Sequence, residues 1–198
     1  MLTECGTNMA MTWSKPPGDR QPRKPRPPLD AARLDELALH YVSRFATSRA
    51  KLATYLGRKI RERGWDGDPP ADIAALVDRL SRLGYVDDAA FALAKSRSLT
   101  SRGYGVGRVR QALYGAGIGE DEAAPARDHA SARSVDAARH YARRRRIGPF
   151  ALTVPDPKAR QRALAAMIRA GHDFALARAI VALEPGREPD WSDFLNSG

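Results

Sequence analysis

The chain has 198 residues, 43% of them hydrophobic, and Lys plus Arg outnumber Asp plus Glu by 33 to 23, for a formal net charge of +10. That hydrophobic share suffices for packed cores and excludes a chain disordered throughout, and the cation excess, mostly Arg, points to a polyanionic partner unless it serves solubility alone. The single cysteine, Cys5, can form no internal disulfide, no Cys/His set has zinc-ligand spacing, and neither a signal-peptide pattern nor a run of about 18 apolar residues occurs, so a cytoplasmic protein without metal, cofactor or membrane partner is expected.

Residues 1–28 interleave Pro16, Pro17, Pro22, Pro25, Pro27 and Pro28 with Lys15, Arg20, Arg23, Lys24 and Arg26, and read as a disordered basic arm. From Leu34 to about Leu183 the apolar residues recur at three- and four-residue spacing, with no period-two stretch, which predicts an all-α fold. In 49–63, Leu52, Tyr55, Leu56 and Ile60 form one stripe, while Lys51, Arg58, Lys59, Arg61 and Arg63 fall largely elsewhere. The next helix is expected to open with Asp68 as N-cap and Pro69 at its first position, to place Ile73, Leu76, Val77, Leu80 and Leu83 on one face, and to end at Gly84. Asp87 caps a third helix running through Phe91 towards Leu99.

Gly103, Gly105 and Gly107 then break the chain before a helix with Val109 and Leu113 that stops at Gly117. Beyond Glu120 an Ala- and Arg-rich stretch continues to Arg146, interrupted at Pro125 or near Ser131. Pro149, Pro155 and Pro157 mark a loop; Ala163, Leu164, Met167 and Ile168 lead to Gly171, and Phe174 to Leu183 form the last helix. In the tail, 184–198, Trp191 and Phe194 are candidates for packing back on the fold.

Gly64, Gly117 and Gly171 lie 53 and 54 residues apart by subtraction of their positions. Eight and four residues before each stand Leu56 and Ile60, Val109 and Leu113, and Ala163 and Met167. The spacing fits three related helical units in an elongated, curved array, and it also fits three unrelated hairpins with glycine caps.

The stretch Gly84-Tyr85-Val86-Asp87-Asp88-Ala89-Ala90-Phe91-Ala92, followed by Arg97, Gly103-Tyr104-Gly105-Val106-Gly107-Arg108-Val109, Leu113 and Gly117-Ile118, resembles the central motif of the RecX family. Upstream, Ala38, Tyr41, Arg44, Leu52, Leu56 and Gly64 resemble that family's first repeat; Ala163, Gly171 and Phe174 to Val181 resemble its third. The resemblance covers about residues 33–183 and implies three tandem three-helix repeats, here 29–84, 85–131 and 132–183. It further implies a protein that lies along a RecA recombinase filament on single-stranded DNA and restrains strand exchange and filament growth without catalysis. The chain departs from the pattern in its basic arm, in His172 where an aromatic is more usual, and in the run Arg143 to Arg146.

Asp87 and Asp88 are adjacent at a helix start, which suits capping better than paired acid/base work. The glycine triplet has no preceding strand and no closing Lys-Ser/Thr, so it reads as an inter-helix turn, with Arg108 and Arg110 as possible anion contacts. His40, His129, His140 and His172 are scattered, and no nucleophile pattern appears. Four successive helical residues sweep about 300°, so Arg143, Arg144, Arg145 and Arg146 cannot all face a core and must project into solvent or a partner. With Arg58, Lys59, Arg97 and Arg102, these are the candidate partner- and nucleic-acid-binding residues. The leading expectation is a monomeric regulator acting on the filament. The rival is an independent, sequence-nonspecific DNA-binding protein that stacks Tyr85, Tyr104 and Tyr114 on bases.

Overall fold

A computed structural model of the chain describes residues 27–194. The expected disorder of the arm therefore lies, up to residue 26, outside the described residues. Within them the fold is all-α, as the periodicity requires, and the one β-type contact is an isolated parallel bridge between Leu29 and Trp65. The helices are α1 (Ala31–Val42), α2 (Arg49–Arg63), α3 (Ile73–Arg82), α4 (Asp88–Ser101), α5 (Val106–Tyr114), α6 (Glu120–Ala132), α7 (Ser134–Arg145), α8 (Pro157–Arg169) and α9 (Phe174–Ala182). Short 3-10 turns occupy Gly148–Phe150 and Trp191–Phe194.

Most helix starts are written in side chains. Asp30, Asp72, Asp87 and Asp173 accept from the backbone N–H of Arg33, Ala75, Ala90 and Ala175 at 2.8–2.9 Å, which satisfies donors that have no intrahelical partner. Asp88 caps at a distance: its Oδ1 accepts from the Arg49 N–H at 2.9 Å, at the start of α2 rather than of its own helix. The expected start at Asp68 and Pro69 is corrected to Asp72 and Ile73. Pro69 precedes Pro70, and a residue before proline is pushed out of the helical region. Trp65 Nε1 also donates to the Pro69 carbonyl at 3.2 Å, which keeps that segment a turn. Of the two interruptions open between Glu120 and Arg146, the later one holds: α6 runs through Pro125, and the break falls at Arg133.

The buried side chains gather in three clusters. Leu34, Leu52, Leu56, Leu76 and Leu80 pack together among α1 to α3, closed by Leu29 from the entering chain. Ala92, Leu99, Val109, Leu113 and Ala126 join α4, α5 and α6. Tyr141, Ile147, Met167, Ile180 and Val181 join α7, α8 and α9. Trp191 of the tail stacks parallel to Phe150 with ring centres 6.1 Å apart, so the tail aromatics do fold back.

The clusters meet through glycine turns. Gly117 leaves no room for a side chain, since a Cβ there would stand 2.4 Å from that of Ala50, and Ser48 Oγ donates to the neighbouring Ala116 carbonyl at 2.5 Å. At the next junction the N–H groups of Gly105 and Gly107 donate to the carbonyls of Ala170 and Gly171 at 3.0 and 2.9 Å. A Cβ on Gly105 would fall 2.3 Å from the Gly171 oxygen, and one on Gly171 would fall 2.2 Å from the Arg108 nitrogen. The inter-helix reading of the triplet is correct, and two of its amides are engaged by protein carbonyls rather than open to a phosphate.

His172 seals this junction. Its Nε2 lies 3.1 Å from the Gly103 carbonyl, which can only accept, so Nε2 carries the proton. The ring tilts against Tyr141 and leaves Nδ1 buried without a partner among the described residues. A second proton would have to sit on that nitrogen. Burial accordingly pushes the imidazole down to about 4, against a smaller upward pull from the Gly103 carbonyl.

Gly105→Ala is expected to destabilise the fold by about 1–3 kcal/mol or more, because the new methyl meets backbone. Gly57→Ala, inside α2, has its nearest neighbours at 3.5 and 3.7 Å and should instead stabilise by about 0.5–1 kcal/mol. Urea unfolding of the two variants checks the contrast in sign. The depressed His172 pKa places a second expectation. Its contribution is complete above the unfolded value of about 6.5 and lost as pH falls towards 4, by on the order of 3 kcal/mol. Comparing stability at pH 7.5 and 4.5 in the protein and in His172→Phe tests this: the decline should be shallower in the variant.

Candidate partner and nucleic-acid interface

The ten basic residues singled out from the sequence do not form one patch. Arg58 and Lys59 lie on α2, both within 6 Å of the Tyr55 ring and both paired with Glu62. The Lys59 hydrogen bond is the main reason the Glu62 carboxyl sits below its ordinary range. Arg110 belongs to α5 and lines a groove with Tyr114 and Arg127, the latter paired with Glu120.

Arg102, Arg108 and, from the arginine run, Arg144 come together at the glycine junction. A cleft of about 400 Å³ is lined by Lys95, Leu99, Arg102, Tyr104, Arg108, Gln111 and Ala112. The Arg102 guanidinium lies 5.8 Å from the Tyr104 ring centre, and Arg108 donates to Gln111 at 2.6 Å. Arg144 reaches over from α7 and donates to the Arg102 carbonyl at 3.0 Å. The Gly103–Gly107 loop, locked to the Ala170 and Gly171 carbonyls by backbone hydrogen bonds, thus holds Arg102 and Arg108 at its two ends. Lys95 was missed by sequence reasoning, although it stands seven residues before Arg102, two turns up one helix face.

The run Arg143 to Arg146 is exposed throughout, between buried Ala142 and buried Ile147. Only three of the four are helical. Arg146 turns into the left-handed region at φ 56° and ends α7. Arg143 lies 4.9 Å from the Phe150 ring centre, and Arg144 and Arg145 lie 5.6 and 5.9 Å from that of Tyr141. Arg143 also shares the Glu188 carboxylate with Arg139, both at 2.9 Å. Hydrogen bonds from Arg139, then Arg143, hold that carboxyl below its ordinary range.

Of the three tyrosines, Tyr114 is 88% exposed and Tyr85 is 55% exposed, whereas Tyr104 packs partly against two of the buried clusters. Two rings, not three, are therefore presented to solvent. Among the described residues no group of three or more His, Cys, Asp or Glu is arranged to hold a metal ion, and no helix is long and apolar enough to cross a membrane.

No model of a protein family matches the chain. It is 33% identical over 176 residues to Regulatory protein RecX of Myxococcus xanthus (strain DK1622), an alignment that spans 84% of this chain and 93% of that one. The chain belongs to the RecX family. The fold agrees with two solved RecX structures. One, a crystal structure of regulatory protein RecX, superposes with a TM-score of 0.55 at 20% identity, over 75% of this chain and 70% of the other. The second, RecX from Lactobacillus salivarius, gives 0.54 at 16% identity, over 76% and 93%. The RecX resemblance read from the sequence is therefore correct, and the family is one of regulatory proteins.

Proposed function

We propose that the chain is a monomeric, cytoplasmic, non-enzymatic regulator that docks on a RecA-type recombinase filament on single-stranded DNA. There it restrains strand exchange, filament growth and the damage response that depends on them. The observation that carries this reading is the cleft at the glycine junction. Lys95, Arg102 and Arg108 surround Tyr104 within the segment that bears the RecX motif, and Arg144 ties the arginine run to the same place. Membership of a family of regulatory proteins supports regulation over catalysis.

The three buried clusters support a division into three three-helix units, 29–84, 85–131 and 132–183. Arg58, Lys59, Arg97 and Arg110 would add separate contacts along the array. Independent binding to bare DNA is the second reading. The solvent-facing Tyr114 ring, one turn after Arg110, favours it, since exposed aromatics beside cations stack on unpaired bases.

Binding to filament and to naked single-stranded DNA at matched salt separates the two. The double substitution Arg102→Ala and Arg108→Ala is expected to weaken filament binding by about tenfold or more, a loss of about 1.4 kcal/mol or more. Undiminished affinity in a folded double variant overturns the cleft as the docking site. Replacing Arg143 to Arg146 with alanine should leave the helical circular dichroism nearly intact, because all four are exposed and alanine has high helix propensity. If they meet phosphates, the log–log salt slope should flatten by about one unit per contact removed. Contacts with filament carboxylates would instead lower filament affinity and spare naked DNA.

A further inference from the structure

A second basic cleft lies on α4, α6 and α7, on another side of the glycine junction, where Ala137 and His140 abut Gly103. It measures about 440 Å³ and is lined by Arg97, Thr100, Ser101, His129, Arg133, Asp136, Ala137 and His140. Two guanidiniums and two imidazoles thus share one opening with a single carboxylate. We propose that this cleft binds a phosphate group, with Arg97 and Arg133 as fixed cations and His129 as a donor that takes up a proton when the anion arrives. The site goes beyond the filament reading, with which it shares Arg97, and its test on inorganic phosphate needs no filament.

The hydrogen bonds determine what each group can offer. Thr100 and Ser101 donate their hydroxyl protons to carbonyls of their own helix, so they are not free donors. Arg133 commits Nη1 to Asp136 at 3.0 Å, which orients the guanidinium and leaves Nη2 and Nε without a side-chain partner among the described residues. Arg97 has no ion pair or side-chain hydrogen bond among the described residues. An unpaired guanidinium beside that of Arg133, itself the residue at the N-cap of α7 where no side chain caps the helix, is a local excess of positive charge.

His129 responds to that excess. Ser96 Oγ donates to the Ala126 carbonyl at 2.7 Å, so towards His129 Nδ1, 3.1 Å away, it can only accept. The neutral ring therefore carries its proton on Nδ1. Gaining a second proton creates a new N–H on Nε2. Burial first, then the charges of Arg97 and Arg133, hold the His129 pKa below its ordinary value. A bound phosphate would offset those two charges and accept from the new N–H, so binding and protonation favour each other. Affinity should rise as pH falls through the His129 titration. Asp136 opposes the anion, and His140, on α7, adds a further ring N–H donor.

Ring NMR of the full-length protein tests the site, because its four histidines report from different places. Inorganic phosphate and a short oligothymidylate serve as separate probes, with sodium chloride at equal ionic strength as control. The His129 signals should move saturably while His40, on α1, stays still, and the His129 midpoint should rise by about one pH unit, equivalent to about tenfold tighter binding by the protonated form. Saturation at the lower concentration by oligothymidylate assigns the site to nucleic-acid backbone; saturation at the lower concentration by inorganic phosphate assigns it to a free phosphate. Arg97→Gln should weaken binding about tenfold, and Asp136→Asn should strengthen it. A His129 titration unmoved by either probe, parallel shifts at His40, or two variants that bind alike overturns the proposal.

Discussion

The contact on which the rest of the structure depends is backbone against backbone at the glycine turns. Gly105 and Gly107 present their amides to the carbonyls of Ala170 and Gly171 with no side chain between, and a single methyl on Gly105 or Gly171 would overlap main-chain atoms. The same construction, with different donors, covers the other turns. The Ala116 carbonyl, just before Gly117, takes the Ser48 hydroxyl, and the Gly64 carbonyl takes the Leu29 amide at 3.0 Å. Each turn closing a middle helix is thus satisfied by chain from outside that helix. At Gly117 and Gly171 polar backbone that would otherwise be buried unpaired becomes the joint between neighbouring clusters, and at Gly64 it ties the entering chain to its own cluster.

A joint of this kind has electrostatic consequences. Because the Gly103–Gly107 loop is fixed, Arg102 and Arg108 sit at its two ends over a rigid base, and Arg144 is drawn in by a backbone carbonyl rather than by an acidic side chain. Its charge is not neutralised by that bond. The stabilising ion pairs lie mostly elsewhere, at Arg49 with Asp78, Arg79 with Asp35, and Arg139 and Arg143 with Glu188, all with solvent-exposed partners of small individual worth. The net positive charge is therefore unevenly available, and in the two basic clefts Arg102, Arg108 and Arg97 have no carboxylate partner among the described residues.

Much of the fold was legible in the sequence because its signals are local. Aspartates supply N-caps, glycines close helices, and apolar residues keep a three/four period between them. Legibility ended where the decisive contact was not local. The start of α3 was misread because Asp68-Pro69 imitates a cap whose helix Pro70 forbids. The α6–α7 break stayed open because Arg133 supplies no side-chain cap. The arginine run was legible as exposed, but its division between Glu188, Phe150 and Tyr141 was not, since those partners lie on the tail, the 3-10 turn and the preceding helical turn. Lys95 beside Arg102, and the meeting of Arg97, His129, Arg133 and His140, depend on how helices pack. Helical periodicity places Lys95 and Arg102 on one face, but it cannot bring α4, α6 and α7 to one opening.

The surroundings of each arginine also rank what it can contribute to a partner. A guanidinium already lying over an aromatic ring has less freedom to lose on binding than one free in solvent, and its planar face stays desolvated before and after. Arg102 over Tyr104, and Arg144 and Arg145 beside Tyr141, are in that condition. Arg143, although it lies closest to a ring, must first give up Glu188. Arg58 and Lys59 must likewise loosen Glu62. On the reading proposed above, affinity concentrates at the glycine junction because charge there is both unpaired and held in place, and net charge by itself would have ranked all ten residues equally.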